Sequence, residues 1–328
     1  MNNRKKILIT GESGFIGSHF IISLTKKYPD YEIHGLDDLT YASNRIYTEN
    51  LKVNQNYHFH KINICDRDEI NILFKKHRFS DVIHLAAESH VDNSIENPGV
   101  FIQTNIIGTL NLLDAFKEYS SGRFHHVSTD EVYGDLNMDD ELFNEKSPYK
   151  PSSPYSASKA SSDHLVRAYH RTYNIDIVIT NCSNNYGPHQ HAEKFIPTII
   201  YAILNQQSIP VYGNGTNVRD WLYVKDHVSA LDLVFHKGVN GETYNIGANN
   251  ELSNLNLVYS ICDILDEKGY KNPRNLITFI TDRLGHDQRY AIDSTKLKKT
   301  LNWQPEFDFN QGLLTTIDWY IDNNKSTI

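Results

Sequence analysis

Along the first half of the chain, apolar and β-branched runs alternate with longer stretches in which apolar residues recur every three to four positions. The short runs are KILIT, YEIHGLD, YHFHKI, DVIHLAA, RFHHVST and IDIVITN. The longer ones are FIGSHFIISLTKKY, DEINILFKKH, residues 104–119 and residues 155–173. Short strands separated by helices of this length require right-handed parallel crossovers, with helices on both faces of one sheet. The pattern predicts an α/β fold with a doubly wound parallel sheet. Beyond about residue 182 the alternation loosens into segments rich in Gly, Pro and Asn, such as NYGPHQHAEKFIP, VYGNGTNVRDWLYV and NPRNLITFITDRLGHDQRY. That part reads as a smaller, loop-rich C-terminal unit and as the source of substrate contacts. The tail DNNKSTI is expected to fray. No internal repeat and no low-complexity segment interrupts the chain.

Composition narrows the function classes. The 328 residues are 39% hydrophobic, enough for a substantial core and two domains, and too apolar for a disordered chain. A formal charge of −8 without a long Lys/Arg block argues against a nucleic-acid surface. Cys65, Cys182 and Cys262 are far apart and form no CxxC pair, so neither a zinc ribbon nor a disulfide framework is indicated. No apolar run approaches the ~18 residues of a membrane span, and ILIT is far shorter than a signal core. The expected location is the cytoplasm, with no membrane partner.

The first chemical signal is GESGFIGS, where Gly11, Gly14 and Gly17 fall between the first strand and the first helix. Glycines there let backbone approach a pyrophosphate, and the helix N-terminus offers unpaired N–H donors. The spacing is GxxGxxG, which by itself also fits an ordinary turn. Asp37, at the end of the second strand, changes the weighing, because a carboxylate there accepts hydrogen bonds from ribose hydroxyls. Asp38 beside it, with no arginine, would repel a 2′-phosphate and favours NAD over NADP.

Two further constellations follow. In YSASK, Tyr155 and Lys159 lie four apart on one helix face. A free tyrosine ionises near ~10, so a tyrosine base at neutral pH needs about 4 kcal/mol of stabilisation from neighbouring positive charge. Lys159 and an oxidised nicotinamide could supply it together. In HVSTDEVYG, Ser128, Thr129, Asp130 and Glu131 follow a core strand at the carboxyl edge of the sheet. The segment reads equally as a cap built from small polar residues and as an acid–base pair, one carboxyl protonated and its neighbour ionised.

Taken in order, GESGFIGS, HLAAESHVD, STDEVYG, PYSASKA, NNYGP and DRLGHDQRYAID resemble the extended short-chain dehydrogenase/reductases over nearly the whole chain. Within that family they are most similar to the nucleoside-diphosphate-glucose 4,6-dehydratases, and the adjacent acid pair is the most diagnostic feature. Epimerases and decarboxylases of the family usually lack that pair. The resemblance implies that Tyr155, assisted by Lys159, takes the 4-hydroxyl proton while hydride leaves carbon 4 for NAD. Glu131 then removes the carbon-5 proton, Asp130 protonates the departing 6-hydroxyl, and the hydride returns at carbon 6. Thr129 would hold the 4-oxygen, and Ser128 would support the site. The product is a 4-keto-6-deoxy sugar, as rhamnose-type deoxysugar biosynthesis requires.

By the same resemblance, residues 1–182 form the NAD-binding domain, joined by a return segment at about 220–247, and residues 183–328 mainly bind substrate. The cofactor set is Gly11, Gly14, Phe15, Ile16, Gly17, Asp37, Asp38, Thr40, Asn63, Ile64, Leu85, Ala86, Ala87, Ser89 and Thr104, together with Tyr155 and Lys159. The substrate set is Ser89, Thr129, Asn184, Lys194, Phe195, Arg219, Asn254, Arg283 and His286. Lys194 and Arg219 would offset a pyrophosphate within an otherwise acidic protein. Three departures stand out: Asn63 replaces an Asp beside the adenine, Leu284 replaces the Pro of DRPGH and loosens its loop, and Glu12 adds a carboxylate to GESG that must point away from the pyrophosphate. HQH at 189–191 falls short of a metal signature, so no metal is expected. Residues 104–119 and 155–173 carry apolar positions beyond what the core needs, and relatives pair these helices, implying a homodimer. VYGNGTNVRDWLYVKDH and GHDQRYAID are most similar to members using dTDP-sugars. UDP-glucose dehydration, epimerisation or decarboxylation, and a catalytically silent NAD-binding regulator are the competing readings.

Overall fold

The computed structural model describes residues 4–325. The chain begins with β1 (Lys6–Thr10), α1 (Phe15–Lys27), β2 (Glu32–Asp37), β3 (Tyr57–Lys61), α2 (Arg67–His77) and β4 (Asp81–His84). Two short helices, α3 (Val91–Glu96) and α4 (Pro98–Phe101), lead through a π-helical stretch at Ile102–Gly108 into α5 (Thr109–Tyr119). Next come β5 (Arg123–Thr129), α6 (Pro154–Tyr173), β6 (Asp176–Cys182), β7 (Asn184–Tyr186), α7 (Phe195–Leu204), β8 (Ile209–Tyr212) and β9 (Val218–Tyr223). The remainder is α8 (Val224–Lys237), β10 (Thr243–Ile246), β11 (Glu251–Ser253), α9 (Asn254–Glu267), β12 (Ile277–Ile280), β13 (Arg289–Tyr290), α10 (Thr295–Leu301) and α11 (Phe309–Lys325).

Seven strands form one parallel sheet in the order β10-β6-β5-β4-β1-β2-β3. The order reverses between β1 and β4, and a crevice opens outside the carboxyl ends at such a switch point. Alternation along β1 shows why both faces are covered: Ile7 and Ile9 pack with Phe20 and Leu24 of α1, while Leu8 packs on the other face with Phe74 and Phe116. A strand buried on both sides must be apolar throughout, as KILIT is after its lysine.

The region after residue 182 carries more regular structure than its Gly, Pro and Asn content suggests. VRDWLY is a fully buried strand, β9, pairing with β7, β11 and β13. β8 pairs in parallel with β12 across a long separation. Turn formers mark the ends of these short elements, and only long-range pairing reveals the strands between them. The apolar helix α7 buries Ile196, Ile199, Ile200 and Ile203 in the same cluster as Leu257, Ile261 and Leu313. Of the tail expected to fray, residues up to Lys325 complete α11, and residues 326–328 lie outside the described residues.

Candidate active site

The glycine turn is shaped by close approach. Gly11 has φ of +72°, and a Cβ there would stand 2.7 Å from the Ala86 backbone nitrogen. A Cβ on Gly17 would fall 2.0 Å from the Gly11 carbonyl oxygen. Gly14 caps α1 without any side-chain hydrogen bond, and no acidic residue occupies the first turn. The N–H groups of that turn are left for an anion. Asp37 is held for its role from three sides: Oδ2 accepts from the Ser13 N–H at 3.0 Å, and Oδ1 accepts from the Leu39 N–H at 2.8 Å and the Ser43 hydroxyl at 2.7 Å. Asn63 donates from Nδ2 to Asp38 at 2.8 Å and accepts the Cys65 N–H, so the missing Asp charge is replaced by a bridge to a neighbouring carboxylate.

Glu12 does turn away from the mouth of the turn. It is fully buried beneath it, accepting from Ser13 at 2.8 Å and from the Tyr57 hydroxyl at 3.0 Å. Burial raises its pKa, and the hydrogen bonds with Ser13 and Tyr57 only partly oppose that. The Leu85–Ser89 segment is clamped by Asn105, whose Oδ1 accepts the Glu88 N–H at 2.9 Å and whose Nδ2 donates to the Glu88 carbonyl at 3.0 Å and to Ser158 at 2.8 Å. Asn105 lies in the π-helical stretch with Thr104, a feature no sequence periodicity announces; such stretches are frequent at functional sites.

A capping box sets the start of α6: the Ser156 N–H donates to the Ser153 hydroxyl and the Ser153 N–H to that of Ser156, with Pro154 at the first position. Tyr155 and Lys159 therefore enter the crevice from a rigid first turn. Lys159 is buried and donates from Nζ to the Val127 carbonyl at 2.9 Å. Burial, then the Glu131 carboxylate, pushes the Tyr155 phenol well above its ordinary value, and a hydrogen bond with Thr129 opposes them. The lysine is itself lowered by burial and directed to a carbonyl.

At the end of β5, Thr129 caps a single 3-10 turn, accepting the Glu131 N–H at 3.3 Å. The cap reading of STDE is met by this turn. Asp130 is 2% exposed, and its Oδ2 has no hydrogen-bond partner. Burial, Glu131 and Asp220 together raise its pKa well above the ordinary value. Burial raises Glu131 too, but Arg283, Arg219 and Lys194 all oppose it. Both carboxyls thus stand above their ordinary values, with three cations opposing the rise at Glu131.

All the residues expected to bind the cofactor line one cleft, which continues past Thr129, Asp130 and Glu131 to Ser89, Asn184 and Lys194. Lys194 donates to the Ser89 carbonyl at 2.9 Å. Five of the expected substrate contacts are not on that wall. Phe195 opens α7 and packs into the C-terminal core. Asn254 opens α9, its N–H donating to the Asn217 carbonyl. Arg219 is buried, donating to the Val218 and Asp287 carbonyls and lying 4.2 Å over the Tyr290 ring. Arg283 donates to Asp92 at 3.3 Å, and His286 pairs with Asp282 at 2.6 Å. These two contacts bracket Leu284, which is 80% exposed. Both arginines still act electrostatically on Glu131.

Residues the sequence reading missed include Asn185, Gln190, His191 and Glu193 on the cleft wall, and Asp220 behind Asp130. Asn185 sits within NNYGP and could have been found there. Asp220 could not, because its proximity to Asp130 arises only when β9 packs against the main sheet.

Comparison with known proteins agrees with this geometry. The family described as GDP-mannose 4,6 dehydratase matches residues 8–316. The dTDP-glucose 4,6-dehydratase of Neisseria meningitidis is 50% identical, covering 97% of this chain and 94% of its own. Escherichia coli dTDP-glucose 4,6-dehydratase 1 is 48% identical over 98% and 94% of the two chains. Among solved structures, the Streptomyces venezuelae dTDP-glucose 4,6-dehydratase, with NAD and dTDP bound, superposes with a TM-score of 0.92 at 42% identity, covering 98% of each chain. The Thermus thermophilus UDP-glucose 4-epimerase, a complex with NAD, shares the fold at a TM-score of 0.87 but only 27% identity, over 96% of this chain and 99% of its own. The chain belongs to the GDP-mannose 4,6 dehydratase family, within the extended short-chain dehydrogenase/reductases.

Proposed function

We propose that this chain is a dTDP-glucose 4,6-dehydratase that eliminates water from carbons 5 and 6 of the sugar. The observation that carries the reading is the acid pair: Asp130 buried beside two carboxyls and Glu131 opposed by three cations, both next to Tyr155. The glycine turn, the bare N-terminus of α1 and the anchored Asp37 fit NAD, since a Cβ at Gly11 or Gly17 would fill the approach. When bound, NAD supplies a hydride acceptor and donor and adds positive charge beside Tyr155.

The chain's own groups divide the proton transfers. Tyr155 accepts the proton of the 4-hydroxyl, with Thr129 hydrogen-bonded at the 4-oxygen. Glu131 removes the proton on carbon 5, made acidic by the adjacent ketone, with Arg283, Arg219 and Lys194 partly offsetting the effect of its burial. Asp130, whose carboxyl burial holds well above its ordinary value, delivers its proton to the departing 6-oxygen, which leaves as water. Lys194, Arg219 and Arg283 supply the positive charge for the nucleotide pyrophosphate. Residues 1–182 with the 220–247 return segment form the cofactor-binding unit and residues 183–328 mainly the substrate unit.

Thymidine is the favoured base, as in the relatives named above, and the product is a 4-keto-6-deoxy sugar nucleotide for deoxysugar biosynthesis of the rhamnose type. No helix among the described residues is long and apolar enough to cross a membrane, and we assign the enzyme to the cytoplasm. We also assign it a homodimeric state through the 104–119 and 155–173 faces, where Tyr173 is 49% exposed. Sedimentation at micromolar concentration tests that assignment, and a monomer overturns it. The activity test is incubation with dTDP-glucose or UDP-glucose in heavy water, followed by mass analysis. Loss of water with one deuterium at carbon 5 from dTDP-glucose is expected. Faster dehydration of UDP-glucose reverses the base assignment, an inverted sugar of unchanged composition means epimerisation, and no reaction with either means a regulator.

A further inference from the structure

At the β2–β3 edge of the sheet, outside the residues that line the cleft, the imidazoles of three separate elements converge. β2 carries Glu32 and His34 on one face, and β3 places His60 on the same face, one pleat beyond the His34↔His58 register. His77 ends α2 and leans over them, its ring 4.7 Å from that of His34 and 5.2 Å from that of His60. Nδ1 of His34 and Nε2 of His60 are 2.8 Å apart. The other nitrogen of His34 faces Glu32 Oε1 at 3.1 Å. His77 Nε2 is buried and has no hydrogen-bond partner. One ligand nitrogen from each of the three rings lies within 4.8 Å of the other two.

We propose that His34, His60 and His77 form a structural site for a zinc-class divalent metal, oriented by Glu32. Two neutral imidazole nitrogens at 2.8 Å must share one proton. A zinc ion with Zn–N bonds of about 2.0–2.1 Å holds tetrahedral ligand nitrogens roughly 3.3 Å apart. Replacing the shared proton by the ion therefore needs a separation of only about half an ångström more, with the His60 hydrogen moving to Nδ1. His77 is only partly buried, so side-chain rotation brings its unpartnered nitrogen in, and water completes the set. The Glu32–His34 contact is the carboxylate–histidine arrangement that fixes a ligand's tautomer and raises its basicity. His77 also occupies the last turn of α2, where the helix dipole favours positive charge.

The surroundings select among metals. Lys6 lies 3.2 Å from Glu32, and Arg45, Lys52 and Lys76 line the adjoining pocket. Calcium and magnesium need several anionic oxygens, which three imidazoles do not provide, whereas zinc, copper and nickel bind neutral imidazole strongly. The bound ion would staple β2, β3 and α2 together beneath the strand that presents Asp37 at its far end.

The test uses the full chain with any affinity tag removed, titrated calorimetrically with zinc chloride. One zinc per chain is expected, with a rise in thermal midpoint, and His60→Gln and His77→Gln should each weaken binding at least about tenfold, as should Glu32→Gln. Absence of stoichiometric binding, or affinity unchanged in both histidine variants, overturns the proposal. Zinc-edge anomalous diffraction of the unaltered protein reads the same question without a variant: a peak beside His34 is expected, and a peak only elsewhere refutes the site.

Discussion

The Tyr57 hydroxyl donates a hydrogen bond to Glu12 Oε2 at 3.0 Å, linking the third strand to the floor of the glycine turn. The carboxyl is wholly enclosed, and Gly35 leaves the space for it, since a Cβ there would meet Glu12 Cγ at 2.7 Å. Tyr57→Phe removes this donor and leaves a buried oxygen short of a partner. We expect a loss of about 1–3 kcal/mol in stability, measured by urea unfolding, together with weaker NAD retention on gel filtration. Unchanged stability would mean that the carboxyl finds another donor, Thr48 being the nearest at 3.4 Å.

Gly17→Ala should abolish cofactor binding while leaving most of the fold intact. The added carbon would overlap the Gly11 carbonyl, so the turn must open where the pyrophosphate is to be received. The measurement is NAD content of the purified variant, with circular dichroism for the fold.

Glu131→Gln should permit oxidation at carbon 4 but slow elimination by roughly 10²–10⁴-fold. Rapid-quench mass spectrometry should then find a 4-keto hexose nucleotide that still carries its 6-oxygen. Normal dehydration by this variant would remove Glu131 from its role as base.

Asp130→Asn should separate stability from activity. Burial, Glu131 and Asp220 raise the folded carboxyl well above its ordinary value of 3.8. As pH rises through 3.8, the unfolded chain loses this proton first. Asp130 therefore costs the folded state stability from that pH upward, and the cost is complete above the raised folded value. Asparagine carries no such charge, so the variant should melt higher than the parent at pH 7, with the advantage fading as pH falls toward the ordinary carboxyl value. Dehydration should meanwhile drop by roughly 10²–10⁴-fold, because the 6-oxygen loses its proton donor. A variant no more stable than its parent at pH 7 would show that Asp130 is not buried as a protonated acid.

The sequence by itself determined the main sheet, the glycine turn and the placement of Tyr155 and Lys159, because each depends on spacing within a few residues. Apolar periodicity marks β1 through β6, turn chemistry marks Gly11 to Gly17, and the helix repeat puts Tyr155 and Lys159 on one face. It also singled out the acid pair. The resemblance gave their roles, but only the tertiary structure brings their charged neighbours, Asp220 to Asp130 and Arg283, Arg219 and Lys194 to Glu131, from more than sixty residues away in the chain. The same holds for Asn105, which clamps the Leu85–Ser89 segment from a π-helical stretch, and for the strands after residue 182, which exist only as partners of distant strands. His34, His60 and His77 show the limit most plainly. No ligand spacing links them, and they meet only because parallel pairing aligns β2 with β3 and α2 ends above them. Charge and coordination depend on distance through space, and only folding converts sequence separation into that.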